Sequence, residues 1–344
     1  MPDKAAPEAR HEVLQPIHPS MTGKLDHVFE ELYNKHVANT PMRPPDLAQL
    51  RKNYSTLYGY GTGPAPKVGR IYDASVTIYP DGDSVDIPLR VYEPESKGPW
   101  PVHVDFHGGG WAVGDLDTEG HICQHVCVKA NVVVIDVGYR LVPEHPYPTG
   151  ITDSWEVVKF IHASGADIFN IKPDSISLGG VSAGATIALA LAHLARGTDV
   201  SLRLVAAGTP VIDYFGKYAT PSESPWSSMR ENQFAPCLNW MRLAWFDKIK
   251  QEATLADAGW FLNLLEAPDH ANLARTVIYT AGADPLRDEG EAYAMKMVQA
   301  GNHVTLRRFP GVPHPFMHMD NDLWQAREFI DGTAREIRLA HWDM

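Results

Sequence analysis

The chain has 344 residues, and its 30 Lys and Arg against 42 Asp and Glu give a formal net charge of −12 at pH 7. This acidic balance disfavours nucleic acid and other polyanions as partners. Three cysteines are too few for a disulfide framework, and the charged N-terminus lacks the apolar core of a secretory signal, so we expect a cytoplasmic protein. The most membrane-like stretch, residues 181–195, is too short to span a bilayer.

The first segment, residues 1–66, is predicted to be helical and peripheral to the rest of the fold. Apolar residues between Leu25 and Val37 recur at the spacing of one helix face. A run rich in Gly, Pro and Tyr over residues 58–66 then marks a linker.

From residue 67 onward, strand-like and helix-like segments alternate. Two runs of alternating hydrophobicity flank the turn residues 80–83 and predict an antiparallel hairpin. Six further strand-like runs follow, over residues 101–106, 132–137, 175–178, 202–207, 276–280 and 303–309. The pattern predicts an α/β fold in which a mostly parallel, eight-stranded sheet, built from residues 67–212 and 273–344, has helices on both faces.

One segment, residues 213–272, interrupts this alternation. It contains no clear strand-like run, but it carries four of the nine tryptophans and several other aromatic residues. Such an insertion between two strands is typical of a cap over the carboxyl edge of the sheet, where ligands of such folds bind. The alternative is a helical subdomain whose aromatic residues pack only against one another.

A G-x-S-x-G pentapeptide, from Gly180 to Gly184, connects a strand-like run to an apolar helix-like run over residues 183–195. A strand that turns directly into a helix forces the central residue into a strained backbone conformation and exposes its side chain. The helix also directs its positive N-terminal end at this point. Ser182 is therefore the candidate nucleophile, and the alternative is a glycine-rich turn with a solvated serine.

A serine nucleophile requires a base that accepts its proton and a carboxylate that holds this base in one tautomer. Asp284 follows the strand-like run 276–280, where the acid of such a triad is expected. Asp288 competes for this role, but it falls in the first turn of the next helix, where an acidic residue is ordinary. His314 follows the last strand-like run and is the candidate base, with His318 as the alternative.

The third requirement is a set of backbone N–H groups directed at the oxyanion. His107 begins a glycine-rich loop that follows a strand-like run, and Gly108, Gly109 and Gly110 tolerate the backbone angles that turn amides toward the nucleophile. Ala183, directly after the serine, would contribute a further amide.

Five motifs, in this order along the chain, resemble those of the hormone-sensitive-lipase-like esterases, also called bacterial family IV. They are HGGGW at 107–111, YRLVPEHPYP at 139–148, GVSAG at 180–184, DPLRDEG at 284–290 and HPF at 314–316. The resemblance implies an α/β-hydrolase fold with a cap formed by the N-terminal segment and the insertion. It also implies that the protein uses no cofactor and hydrolyses esters, usually with short acyl chains.

The resemblance further implies a role for each matching residue. It assigns the triad to Ser182, Asp284 and His314, the oxyanion hole to the amides of Gly109, Gly110 and Ala183, and supporting positions to His107 and Glu144. The chain departs from the family pattern at Val181, where aspartate is usual, at Ala185, where glycine is common, and at Pro315, where glycine is usual. These departures leave the triad intact but leave the substrate open.

Two other functions are compatible with some of these motifs. Kynurenine formamidase-like amidases also combine an H-G-G-x-W loop with a serine elbow, although the motifs around Glu144 and Asp284 favour the esterase. A ligand receptor on a hydrolase scaffold is the second, since the gibberellin receptors resemble the same family. Those receptors lack the catalytic histidine, whereas His314 is present here.

One stretch of the sequence contains residue types that can ligate a metal. His121, Cys123, His125 and Cys127 have ligand types at helical spacing. A packed helix is the favoured interpretation, because no H-E-x-x-H arrangement is present and a serine mechanism needs no metal. The expected partner is a small-molecule ester, and the sequence leaves the oligomeric state open, a homodimer included.

Overall fold

The computed structural model describes residues 13–342, so the first twelve residues of the predicted N-terminal segment lie outside the described residues. Its central feature is one mixed sheet. The strands are β1 (Arg70–Ile78), β2 (Val85–Glu93), β3 (Trp100–Phe106), β4 (Val133–Val137), β5 (Ile171–Val181), β6 (Leu202–Gly208), β7 (Thr276–Ala281) and β8 (Val304–Phe309). Across the sheet they follow the order β1-β2-β4-β3-β5-β6-β7-β8.

Antiparallel pairing is confined to one edge of the sheet. β1 pairs with β2 and β2 with β4 in antiparallel fashion, and all the other neighbours are parallel. Ile78 pairs with Val85 across the turn, which confirms the predicted hairpin. The mostly parallel, eight-stranded sheet is confirmed as well.

Alternation along the strands divides the core into two layers. In β6, Val205 and Ala207 belong to one buried cluster, while Leu204 and Ala206 belong to the other. Because successive side chains of a strand point to opposite faces, each face of the sheet is apolar and requires its own cover of helices.

The helices provide this cover. They are α1 (His27–His36), α2 (Leu47–Leu57), α3 (Gly120–Ala130), α4 (Thr149–Phe169), α5 (Ala183–Ala195), α6 (Ser227–Glu231), α7 (Trp240–Glu252), α8 (Arg287–Gln299) and α9 (Trp324–Trp342). α3 packs against α9 in one layer, and α4 packs against α5 in the other. No helix within residues 13–342 combines the length and apolar character needed to cross a membrane.

Two elements are longer than the sequence pattern indicates. β5 runs to Val181 because Gly179 and Gly180 stay in register with β3, although glycines usually mark the end of a strand. α4 continues to Phe169 past Gly165, where a Cβ would lie 2.7 Å from the Cδ1 of Ile171. Gly165 therefore allows the helix to approach the strand closely, and it does not break the helix.

The segment 213–272, all of which is described, contains α6, α7 and short 3₁₀ turns but no strand, as the sequence predicts. Its tryptophans contact residues of the same segment: Trp226 donates a hydrogen bond to Asp213, Trp240 packs on Phe215, Trp245 on Phe246 and Trp260 on Phe261. They stabilise the insertion, and Trp260 also contacts His193 of α5, with 5.3 Å between ring centroids.

Candidate active site

Ser182 lies at the turn between β5 and α5, in a conformation that L-residues rarely adopt. Its φ is +56° and its ψ is −118°. A Cβ at Gly180 would lie 2.3 Å from the carbonyl oxygen of Phe106, and one at Gly184 would lie 1.8 Å from the same atom. Only glycine fits at these two positions, and this close approach makes the sharp turn that presents the serine hydroxyl.

The structure brings the three residues of the predicted triad together. Nε2 of His314 lies 2.8 Å from Oγ of Ser182, and Nδ1 lies 2.7 Å from Oδ2 of Asp284. The histidine therefore bridges the hydroxyl and the carboxylate at hydrogen-bond distance on both sides. Asp284 and His314 are both buried, so the contact between them is shielded from water, while Ser182 is half-buried.

Local contacts fix Asp284 in this position. Its Oδ1 accepts a hydrogen bond of 2.9 Å from the N–H of Leu286, and its other carboxylate oxygen is left for His314. From the insertion, the buried Asn232 donates to the carbonyl oxygen of Asp284 at 3.0 Å. The insertion thus stabilises the loop that carries Asp284.

The two competing residues have other partners. The Asp288 carboxylate lies in the first turn of α8, where it accepts hydrogen bonds from the N–H of Ser228 and from Arg287. Nε2 of His318 lies 3.9 Å from Oε1 of Glu119, and burial lowers the pKa of His318 to about 4. His318 is therefore uncharged at neutral pH.

The glycine loop after β3 lies beside Ser182. Gly109 and Gly110 have φ values of +121° and +58°, which favour glycine. A Cβ at Gly109 would lie 2.1 Å from the carbonyl oxygen of Val113, and one at Gly110 would lie 2.8 Å from the ring of Phe246. The backbone of Gly110 therefore touches the insertion directly.

The amide of Gly108 has a different partner from the one the sequence suggests. It donates a hydrogen bond of 3.1 Å to Oε1 of Glu119, a residue that the sequence analysis did not single out. Glu119 is fully enclosed, and burial together with nearby Asp105 raises the pKa of its carboxyl well above the ordinary value. This N–H is thus already engaged, while Glu119 anchors the loop at its first glycine.

His107 stabilises the glycine loop that it precedes. Its Nδ1–H donates to the carbonyl oxygen of Gly108 at 2.8 Å, and its ring stacks on Tyr139 with 4.3 Å between ring centroids. The hydroxyl of Tyr139 donates to the carbonyl oxygen of His107 at 2.7 Å. Burial lowers the pKa of His107, so the ring is neutral and remains a fixed donor.

Glu144 supports the loop through Arg51, a second residue that the sequence analysis missed. The guanidinium makes a bidentate pair with the Glu144 carboxylate, both distances being 2.7 Å, and this pair lowers the Glu144 pKa to about 2. Arg51 also donates to the carbonyl oxygens of Ala112 and Val142 at 2.8 and 2.7 Å. Helix α2 is thereby tied to the glycine loop.

A mostly apolar pocket opens above Ser182 and encloses about 760 Å³ of space, part of it open to solvent. Tyr54 and Tyr58 of the N-terminal segment line it, as do Phe215 and Phe246 of the insertion. A mostly apolar and aromatic lining with a few polar groups beside Ser182 is typical of a small-molecule site.

Three side chains of types that can ligate a metal ion lie together, two of them on α3. His121, His125 and Asp320 place ligand atoms within 4.8 Å of one another, and no other such group of three occurs in the part of the chain that is described. Cys123 and Cys127, from the same helix, are buried as free thiols in the core. Metal is not required by the Ser182 chemistry derived below.

Comparison with known proteins identifies the family and the fold. Residues 103–318 match a family described as "alpha/beta hydrolase fold". An AB hydrolase superfamily protein of Schizosaccharomyces pombe is 31% identical, over 96% of this chain and 97% of that protein. The carboxylesterase NlhH of Mycobacterium tuberculosis is 35% identical, over 68% of this chain and 72% of that protein.

Solved structures of esterases are similar to this one as well. The hyperthermophilic esterase of the archaeon Pyrobaculum calidifontis is 27% identical and superimposes with a TM-score of 0.79, over 91% of this chain and 98% of that one. The formamidase alternative receives no support from these relatives. The chain belongs to the hormone-sensitive-lipase-like family of carboxylic ester hydrolases, which have the α/β-hydrolase fold.

Proposed function

We propose that this protein is a serine carboxylesterase that hydrolyses short-chain or small hydrophobic esters through an acyl-enzyme. The observation that carries the proposal is the continuous contact from Ser182 Oγ through His314 to Asp284, with distances of 2.8 and 2.7 Å. An unactivated hydroxyl is a poor nucleophile, and this arrangement is what activates it.

In the first half-reaction, Oγ of Ser182 attacks the ester carbonyl carbon while Nε2 of His314 accepts the hydroxyl proton. Asp284 holds the imidazole by its Nδ1–H and stabilises the imidazolium that forms. As the tetrahedral intermediate collapses, His314 donates this proton to the oxygen of the leaving alcohol. The C–O bond to the alcohol breaks, and the acyl group remains on Ser182.

In the second half-reaction, a water molecule attacks the acyl-enzyme. His314 accepts one water proton and then gives it to Oγ of Ser182 when the carboxylic acid leaves. The enzyme is regenerated without a cofactor, because every proton that leaves one group is taken up by another group in the site.

The amides of Gly109, Gly110 and Ala183 form the oxyanion hole in this proposal. Gly108 donates to Glu119 at 3.1 Å, so we assign it to holding the loop in place. Ala183 is the first residue of α5, and the positive end of this helix dipole adds to the stabilisation of the oxyanion.

We also propose that residues 13–66 and 213–272 together form the cap. Both segments contribute aromatic side chains to the pocket above Ser182. Such a lining favours small hydrophobic groups over long polar ones, because burial of apolar area supplies most of the binding energy at such a site.

The test is steady-state hydrolysis of p-nitrophenyl esters from acetyl to palmitoyl, with wild-type protein and the variants Ser182→Ala and Asp284→Asn. We expect the highest kcat/KM at short acyl chains. By analogy with other triads, we expect a loss in kcat on the order of 10⁶ for Ser182→Ala and about 10⁴ for Asp284→Asn. Ester turnover that survives Ser182→Ala would contradict the assignment.

A further inference from the structure

One ion pair lies in the mostly apolar pocket above Ser182. Lys250 and Asp247, both on α7, line the pocket, with Lys250 Nζ 3.6 Å from Oδ1 of Asp247. The two residues are only 4% and 8% exposed. Burial lowers the pKa of Lys250 and raises that of Asp247, while their mutual attraction opposes both shifts.

The hydrogen-bonding capacity of this pair is not filled by the protein. Oδ2 of Asp247 accepts from Gln251, but Oδ1 has no hydrogen-bond partner among the described residues. The Lys250 ammonium lies 4.7, 5.4 and 5.7 Å from the ring centroids of Trp111, Tyr147 and Tyr214, and Nε1 of Trp111 also has no partner in the described chain. An aromatic face attracts a cation, but it is a weaker hydrogen-bond acceptor for the ammonium N–H groups than an oxygen atom is.

Such a pair is not explained by stability alone. Taking two charges out of water costs more than an imperfect contact returns, and replacing a buried ion pair by apolar residues of similar volume is often neutral or stabilising. Here the contact is longer than a hydrogen bond, and Leu243 and Phe246 on the same helix face are apolar. A polar ligand group that contacts both side chains would satisfy the hydrogen bonding of Lys250 Nζ and of Asp247 Oδ1.

We propose that Lys250 and Asp247 form a binding site for a hydroxyl group of the substrate, which makes the preferred substrate a hydroxylated ester. A hydroxyl carries one donor and two acceptor lone pairs, so it can donate to Asp247 Oδ1 and accept from Lys250 Nζ. A carboxylate would be repelled by Asp247, an ammonium would be repelled by Lys250, and an alkyl group would leave both unpaired. The inference rests on the proposed esterase function.

The experiment compares esters that differ only by a hydroxyl. One series varies the alcohol part (ethyl, butyl and hexyl acetates against 2-hydroxyethyl, 4-hydroxybutyl and 6-hydroxyhexyl acetates), with acid release followed by pH-stat. The other varies the acyl part (p-nitrophenyl butyrate against p-nitrophenyl 3-hydroxybutyrate). Hydrogen bonds to charged groups are worth enough for us to expect about a tenfold or greater gain in kcat/KM for one or more hydroxylated esters.

The variants are Lys250→Met/Asp247→Leu, which removes both charges, and Asp247→Asn, which keeps the size of the side chain. The readout is the ratio of kcat/KM for hydroxylated and plain ester within each protein, so a general loss of activity cancels. We expect the ratio to fall to about one in the double variant and to drop in Asp247→Asn. Lys248→Met is the matched control, because Lys248 lies on the same helix but is exposed, and it should keep the wild-type ratio.

Two results would overturn the inference. The first is that the wild-type protein hydrolyses the plain esters but shows no higher kcat/KM for the hydroxylated ester in either series. This result would mean that Lys250 and Asp247 bind only water. The other is a preference that persists in the double variant. If the wild-type protein hydrolysed none of the plain or hydroxylated esters, the proposed function itself would fail, so the two failures are distinguishable.

Discussion

Replacement of Arg51 by Met should weaken both the fold and the catalytic loop. The Arg51 guanidinium connects α2 to the carbonyl oxygens of Ala112 and Val142 and to the carboxylate of Glu144. Met keeps most of the apolar stem, so the change removes mainly these polar contacts. Since Ala112 follows the glycine loop by two residues, loosening it should also disturb the amides of Gly109 and Gly110.

The magnitude follows from the partners and their exposure. Two hydrogen bonds from a charged donor to carbonyl oxygens are worth about 1.5 kcal/mol each at the low end. The Glu144 side chain is 55% exposed, so its ion pair adds no more than about 1 kcal/mol after screening by solvent. The sum is about 3–4 kcal/mol in the free energy of unfolding, which corresponds to a decrease in Tm of about 4–6 °C, because the entropy of unfolding is about 2.1 cal/mol/K per residue.

The assay is thermal unfolding by circular dichroism together with kcat on p-nitrophenyl butyrate, for Arg51→Met and the control Glu144→Gln. The control loses only the exposed ion pair and should decrease Tm by about 2 °C or less. Arg51→Met should lower both Tm and kcat. Equal Tm values for Arg51→Met and the wild-type protein would refute the reasoning that this residue anchors α2 to the loop.

Three further predictions concern the loop, its anchor and metal. Gly109→Ala should decrease kcat at least tenfold while KM changes little, because a Cβ there would lie 2.1 Å from the Val113 carbonyl oxygen and displace an oxyanion donor; an unchanged kcat would exclude this amide. Glu119→Gln should keep kcat within about threefold, since an amide oxygen can still accept from Gly108, whereas Glu119→Ala should lower it about tenfold or more; equal kinetics of the two variants would exclude an anchoring role. Hydrolysis of p-nitrophenyl butyrate should be the same before and after dialysis against EDTA, because the Ser182 mechanism uses no metal, and a loss restored by Zn²⁺ would contradict that mechanism.

A fourth prediction concerns pH. The Arg51 ion pair lowers the Glu144 pKa from its ordinary value of 4.5 to about 2. A depressed carboxyl pKa contributes stability that is fully present above pH 4.5 and is lost as the pH falls toward 2. The difference in Tm between wild-type protein and Glu144→Gln should therefore shrink over this interval. A constant difference between pH 6 and pH 3 would show that the pair does not titrate as the structure indicates.

The parts of the site that follow strand ends could be predicted from the sequence. Ser182, Asp284 and His314 each follow a parallel strand, and the carboxyl ends of these strands meet at one edge of the sheet. Local residue types predict the order of strand, glycine turn and helix. For this reason the three positions could be proposed without coordinates.

The parts that depend on packing could not be predicted. Arg51 reaches Glu144 across 93 positions of sequence, and nothing in the local pattern around α2 distinguishes Arg51 from a basic residue exposed to solvent. Engagement of the Gly108 amide by Glu119 likewise depends on how α3 begins relative to the loop. Aromatic content predicted the helical insertion, but it did not indicate which of its aromatic residues, Phe215 and Phe246 among them, face the pocket.

The most direct test of the central claim is to identify the residue that becomes acylated. Wild-type protein and Ser182→Ala are treated with a fluorophosphonate ester, and the stoichiometry and position of the label are measured by intact-mass and peptide mass spectrometry. We predict one label per wild-type chain, located on Ser182, and none on the variant. Labelling of the variant to the same extent, or a wild-type label on another residue, would contradict the account.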